Sequence, residues 1–173
     1  MLLANSTKLQ PVKKSWGQGA CICPLHVFLF LNFRHLDRII LKQGKSFELF
    51  FCDAPEDRSV VEWFMSFLEG EHGPFPLPLV FNFSPFTKKV LEELKKIPLG
   101  KSLSYRQVAE NIGHPKAARA VGNACNANPF PLVIPCHRVV QTGGKLGGFA
   151  YGTELKEDLL HFERETIAAM QAL

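Results

Sequence analysis

Three prolines fall within five residues in Gly73-Pro74-Phe75-Pro76-Leu77-Pro78. Proline fixes φ and lacks an amide proton, so neither a helix nor an interior strand runs through such a stretch. It reads as a linker, dividing the chain into an N-terminal part, residues 1–80, and a C-terminal part, residues 84–173, with different patterns. In the first part, Leu25–Phe33, Arg38–Leu41 and Phe47–Cys52 are short aromatic-rich runs separated by turn residues such as Gln43-Gly44, which predicts strands. Asp57 is placed to cap a helix running to Glu69, with Val60, Val61, Phe64, Phe67 and Leu68 on its apolar face.

The second part is helical. Ser84 caps, Pro85 takes the first helical position, and Phe86, Val90, Leu94 and Ile97 form one stripe until Pro98 and Gly100 end the helix. Ser104 and Gln107 make a capping box for a second helix that stops at Gly113. A third is predicted from Pro115 to about Ala127, because Asn128-Pro129 cannot continue it. The expected fold class is α+β: a small sheet-and-helix domain, then a helical domain whose two short helices, joined through Gly113-His114-Pro115, form a winged-helix-like helix-turn-helix.

Composition excludes several classes. With 46% hydrophobic and 21% charged residues, the chain is neither disordered nor collagen-like. Its longest apolar stretch, Ala20 to Phe33, is broken by Pro24 and His26 and is shorter than the roughly 20 residues a membrane span needs. It is read as a core strand, with a cytoplasmic protein as the default. Five irregularly spaced cysteines, Cys21, Cys23, Cys52, Cys125 and Cys136, argue for reduced thiols rather than a disulfide framework. Cys21, Cys23 and His26 do not follow a standard zinc spacing, and no metal is expected. Residues 1–83 carry eight basic and eight acidic side chains, whereas residues 84–145 carry ten and three. That surplus suits a polyanion, most simply nucleic acid, or else a solvated lysine-rich helix face.

The third helix bears on that choice. Ala117, Val121 and Ala124 face one way for packing, while Arg119, Gly122, Asn123 and Asn126 face the other. A slim surface with one projecting arginine fits a narrow groove, or a helix packed tightly within the protein. The apolar run Pro129-Phe130-Pro131-Leu132-Val133-Ile134-Pro135-Cys136-His137-Arg138-Val139-Val140 follows it. A free thiol has a pKa of about 8.5, and adjacent cations lower it, so His137 and Arg138 are expected to favour the Cys136 thiolate. On the last helix, Leu155, Leu159 and Glu163 lie at i, i+4, i+8, so the carboxylate continues an apolar stripe and faces inward, where it needs a partner.

The tract Ile134-Pro135-Cys136-His137-Arg138-Val139-Val140 resembles the active-site signature of the O6-alkylguanine-DNA alkyltransferases, the methylguanine-DNA methyltransferase repair proteins. Ser104-Tyr105, Pro115-Lys116-Ala117-Ala118-Arg119-Ala120-Val121-Gly122 and Asn128-Pro129 extend the likeness over about residues 84–165. The resemblance implies that Cys136 takes an alkyl group from O6 of guanine in double-stranded DNA, irreversibly and once, after the nucleotide is flipped out. His137 would act as its base through a water, oriented by Glu163, and Tyr105 would donate toward the leaving guanine. Arg119 would replace the extruded base, with Ala118, Gly122, Asn123 and Ser104 along the minor-groove contact. Asn128 would tie the turn before the cysteine, the Val139 backbone and Phe149 would meet the base, and Arg138 would form a structural ion pair. A monomer without a cofactor is implied.

The chain departs from many relatives at Phe149-Ala150-Tyr151. Phe149 lacks a tyrosine's hydroxyl, Ala150 lacks a serine's, and Tyr151 replaces a glycine, which predicts a narrowed pocket and slow reaction with free benzylated guanine. Three other readings compete: a non-catalytic sensor of alkylated bases, which would lack the cysteine; a Cys-His hydrolase, which would regenerate its thiol; and a regulatory helix-turn-helix protein reading the major groove.

Overall fold

The computed structural model describes residues 25–172 except 33–34, 45–46, 53–54 and 72. They form a mixed α+β chain that divides into two compact units after Val80.

In the first unit, β1 (Leu25–Asn32) pairs antiparallel with β2 (His35–Gln43) and parallel with β3 (Glu48–Cys52), giving the order β2-β1-β3. The alternation expected of a one-faced sheet is present: Leu25, Val27 and Leu29 are buried, and His26, Phe28 and Phe30 between them are half-exposed. On that outer face Phe28 stacks on Phe50 at 4.6 Å, the Lys42 ammonium lies 5.1 Å above Phe28, and the Arg38 guanidinium lies 4.4 Å above Phe30. Asp57 caps α1 (Arg58–Leu68), its carboxylate accepting from the Ser59 and Val60 amides. The proline-rich segment is not a free tether. Pro78 accepts from the Leu36 amide at 3.0 Å, Gly73 accepts from the Trp63 indole at 2.9 Å, and Phe75 packs edge-on against Trp63. Of the first strand prediction, Phe33 lies outside the described residues, as do Ala20 to Pro24.

The second unit opens with α2 (Pro85–Leu94), whose Ser84 cap accepts from the Thr87 amide. Val90, Leu91 and Leu94 are buried on its inner side. The two-stranded parallel ladder of β4 (Leu103–Ser104) and β5 (Val139–Val140) sets the start of α3 (Tyr105–Asn111) beside the chain that leaves Cys136. The Ser104–Gln107 capping box is complete in both directions. The next helix, α4 (Ala118–Asn126), starts three residues later than Pro115, because the Ala117 amide closes a turn on the His114 carbonyl at 2.8 Å and no side chain caps α4. Finally α5 (Thr153–Gln171) buries Leu155, Lys156, Leu159, Leu160, Phe162 and Glu163 and packs on the Cys136–Arg138 turn. Among the described residues no helix is long and apolar enough to cross a membrane.

The capping box satisfies two backbone donors at the start of a seven-residue helix that has little else to hold its first turn. Ser104→Ala is therefore expected to lower stability by about 1 kcal/mol, read as a shift of the urea midpoint with an unchanged slope.

Candidate active site

The site is built on the loop between α4 and β5. Asn128, buried at its start, is committed on both ends of its amide. Its Oδ1 accepts from the Phe130 amide at 3.0 Å, and its Nδ2 donates to the Ile134 carbonyl at 2.8 Å and to Cys136 Sγ at 3.2 Å. The loop it clamps includes Leu132 in the left-handed region at φ 72°, which costs a residue with a Cβ about 1–2 kcal/mol. The Cys136 amide then folds back onto the Ile134 carbonyl at 2.8 Å, and Cys136–Arg138 make one 3₁₀ turn. All three residues are interior, with exposures of 6%, 0% and 1%.

What holds the turn inward is the Glu163 carboxylate, itself fully buried on α5. Its Oε1 lies 2.7 Å from His137 Nε2 and 2.8 Å from an Arg138 terminal nitrogen, and both of its oxygens accept from Arg138 Nε at 3.0 Å. Its Oε2 also accepts from the Gly100 amide at 3.1 Å, while Arg138 donates to the Ile97 carbonyl at 2.6 Å. Burial opposes the charge on Glu163, but His137 and Arg138 outweigh it and hold the carboxyl at about 2. Arg138 cannot lose its proton, so it keeps Glu163 ionised even when His137 is neutral. Burial in turn holds His137 below the ordinary histidine range, so the ring is neutral at pH 7. An ionised carboxylate only accepts, which puts the single ring proton on Nε2 and leaves a lone pair on Nδ1. That Nδ1 is buried and has no hydrogen-bond partner. It is the proton acceptor of the site.

The expected thiolate is not found. Burial pushes the Cys136 thiol above its usual range, and the Asn128 hydrogen bond and the Lys156 charge only partly offset it. His137 and Arg138 stand next to the cysteine in sequence, but both are turned away from it and spent on Glu163. Cys136 is therefore a neutral thiol that ionises only when a base takes its proton.

Lys156, which the sequence reading passed over, is buried and donates to the Val139 carbonyl at 2.6 Å and the Gly148 carbonyl at 3.3 Å. Its signal was available, since it lies seven residues before Glu163 on the same side of α5. Its ammonium sits 5.8 Å from the Tyr105 ring, and Tyr105 Oη reaches toward the Gly148 carbonyl at 3.4 Å. Burial, then the neighbouring thiols, push the Tyr105 phenol up to about 12, so it keeps its proton. Gly147 is needed opposite this ring, for its φ is +70° and a Cβ there would stand 3.1 Å from the phenol. Phe149 lies edge-on to both His137, at 6.5 Å, and Tyr151, at 5.5 Å, while Ala150 is exposed.

On α4, Arg119 and Asn123 are exposed, Ala118 and Gly122 are half-exposed, and Val121 and Ala124 are buried on the opposite side. Ser104 is occupied as the cap of α3, and Val139 is buried with its carbonyl on Lys156. Cys21 and Cys23 lie outside the described residues, and His26 faces Glu48 at 3.6 Å. Among the described residues there is no group of three or more side chains placed to hold a metal ion.

Residues 85–165 match the family model of the 6-O-methylguanine DNA methyltransferase, DNA binding domain. A methylated-DNA–protein-cysteine methyltransferase of Methanosarcina acetivorans is 45% identical over 98 residues, which cover 57% of this chain and 63% of that protein. This chain thus spans less than two thirds of that relative's length. A probable methylated-DNA–protein-cysteine methyltransferase of Acanthamoeba polyphaga mimivirus is 38% identical over 127 residues, covering 71% of this chain and 85% of its own. Among solved structures, Mycobacterium tuberculosis OGT in complex with DNA superposes with a TM-score of 0.68 at 29% identity, covering 82% of this chain and 94% of that one.

Replacing Glu163 by glutamine leaves Arg138 buried without its counter-charge, so Glu163→Gln is expected to cost about 3–5 kcal/mol at pH 7. The folded carboxyl titrates near 2 and the free one near 4.5. Its contribution is thus complete above the free value and is lost as pH falls toward the folded one. Urea denaturation at pH 7 and near pH 2 checks this: the gap between wild type and variant should shrink at low pH. A gap independent of pH would mean that the charge on Glu163 is not what stabilises the turn.

Proposed function

Since the chain belongs to the methylated-DNA–protein-cysteine methyltransferase family, we propose that it repairs O6-alkylguanine in double-stranded DNA by taking the alkyl group onto Cys136. The observation that carries this is the neutral His137 ring, fixed through Nε2 on Glu163 with its other nitrogen unbonded next to a protonated thiol. His137 Nδ1 takes the Cys136 proton through a water, and the sulfur attacks the alkyl carbon in line. The carbon–O6 bond breaks, its electron pair goes to the guanine, and Tyr105, whose phenol is held protonated, hands a proton to that leaving base. A thiol proton thus ends on guanine, and the alkyl group ends on sulfur as a thioether. A thioether has no good leaving group, so each molecule acts once.

Flipping is required because O6 lies inside the stacked, paired duplex. The exposed face of α4 supports entry from the minor groove, with Ala118, Gly122 and Asn123 against the backbone and Arg119 filling the place of the flipped base. On this reading α3 and α4 are the helix-turn-helix, Ser104 borders the contact, Val139 and Phe149 meet the base, and residues 84–173 form the DNA-binding alkyltransferase domain of a monomer. Lys156 joins the set as a positioning residue, since it ties β5 to the loop at Gly148.

The test is intact and peptide mass spectrometry after mixing with duplex DNA carrying one O6-methylguanine. One methyl per protein on the Cys136 peptide, absent in Cys136→Ser, is expected. Arg119→Ala should reach the same endpoint about tenfold to a hundredfold more slowly, since it forfeits part of an unstacking cost of a few kcal/mol. Tight lesion binding without modification would favour a damage sensor instead, and repeated turnover would favour a hydrolase. Neither modification nor lesion preference would remove the reading altogether.

The Phe149–Tyr151 edge contact narrows the approach to His137. Free benzylated guanine should label Cys136 slowly, and Tyr151→Gly should speed that labelling without changing transfer from methylated duplex. Rapid labelling of the wild type would show that Tyr151 does not restrict the pocket.

A further inference from the structure

A second thiol shares this site and takes no part in the transfer. Cys125 sits in the last turn of α4, partly exposed, and is reduced, as Cys136 is. Both are fastened to one residue: the Asn128 amide donates to the Cys125 carbonyl at 3.3 Å, and its side chain donates to Cys136 Sγ at 3.2 Å. The two thiols also feel the same charges. Lys156 acts on both, Tyr105 is raised by both, and Cys125 is pushed up to about 12 first by burial and then by Cys136. The remaining described cysteine, Cys52, belongs to the other unit. At its raised pKa Cys125 is inert toward oxidants by itself. Cys136 differs, because the base that arms it toward an alkyl carbon arms it equally toward peroxide oxygen, and unchecked oxidation runs on to a sulfinic acid that is not reversed.

We propose that Cys125 is the resolving thiol for Cys136, closing a reversible Cys125–Cys136 disulfide under peroxide that switches alkyl acceptance off and protects the nucleophile. The proposal rests on Cys136 being the reactive thiol. In the first step the Cys136 sulfur attacks hydrogen peroxide, the O–O bond breaks, and sulfenic acid and water form. In the second the Cys125 sulfur attacks the sulfenyl sulfur, expelling hydroxide that leaves as water with the Cys125 proton. Two thiols give up two electrons, and one peroxide becomes two waters. A disulfide needs Cα atoms within about 7 Å, and the common tether at Asn128 keeps the two backbones together for it.

The test treats the full chain with hydrogen peroxide, blocks free thiols with N-ethylmaleimide, and maps peptides without reduction. The expected result is a Cys125–Cys136 disulfide, loss of methyl acceptance from O6-methylguanine duplex, and near-complete recovery with dithiothreitol. Cys125→Ser should accept methyl groups normally before peroxide, but after it should recover little and carry two added oxygens on Cys136. Peroxide-treated wild type lacking the cross-linked peptide would overturn the proposal, as would a Cys125→Ser variant that recovers as fully as wild type. If untreated protein accepts no methyl group, the alkyl-transfer reading fails, whereas the peptide map still decides the disulfide.

Discussion

The Glu163 carboxylate is the point on which the second unit turns. One side chain of α5 receives hydrogen bonds from His137, from Arg138 and from the Gly100 amide, and Arg138 reaches on to Ile97. Four stretches of chain thereby meet on two atoms. A buried ion pair is a weak source of net stability, because desolvating both charges offsets most of their attraction. What it supplies is orientation. Every lone pair of the carboxylate is aimed at a donor from another element, so the Cys136–Arg138 turn has one way to sit, and His137 one way to face. The same pair fixes a proton: with Arg138 permanently charged, Glu163 stays an acceptor, and the imidazole carries its hydrogen on Nε2.

The consequence for Cys136 runs against simple sequence logic. Two basic residues follow the cysteine, yet neither acts on it as a cation, since one is neutral and both point into the carboxylate. The positive charge near the sulfur comes from Lys156, seventeen residues away from Val139 along the chain, and it is too far committed to the Val139 and Gly148 carbonyls to overcome burial. A thiol kept neutral in a dry turn resists adventitious electrophiles at rest. Its reactivity is released by proton transfer to His137, so a pre-positioned base, rather than a permanently depressed pKa, is the device the fold has built.

Much of this was legible in the residues, because the features concerned are local. The Asp57 and Ser84 caps, the Ser104–Gln107 box and the alternation in β1 follow from side chains that bond or bury within a few positions of themselves. Glu163 was readable as inward-facing from its stripe with Leu155 and Leu159. The start of α4 was not, since Pro115 is as good a first residue on paper as Ala118, and only the Ala117–His114 turn decides between them. Nor was the thiol's protonation state, which depends on where His137 and Arg138 point and hence on a carboxylate 25 residues downstream of Arg138. Lys156 was missed because lysine on a helix reads as solvated until its two carbonyl partners, one on β5 and one in the loop at Gly148, are known.

Those same partners separate the chemistry from the choice of substrate. The nucleophile, base and carboxylate lie on the 3₁₀ turn and α5, locked by Glu163. The groups that would meet the reacting base, Phe149, Ala150 and Tyr151, lie on a loop anchored through Gly148 to Lys156 and Tyr105 and shaped by Gly147 against the phenol. The anchor fixes where the loop begins but leaves its next three side chains free to differ in size. Phe149 can lose a hydroxyl and Tyr151 can add a ring without disturbing a bond made by Glu163, because none of the carboxylate's hydrogen bonds reaches the loop. Pocket width can therefore drift among chains with this site while the proton path from Cys136 to His137 stays as it is. The reverse does not hold: any change at Arg138 or Glu163 alters the turn, the tautomer and the thiol together.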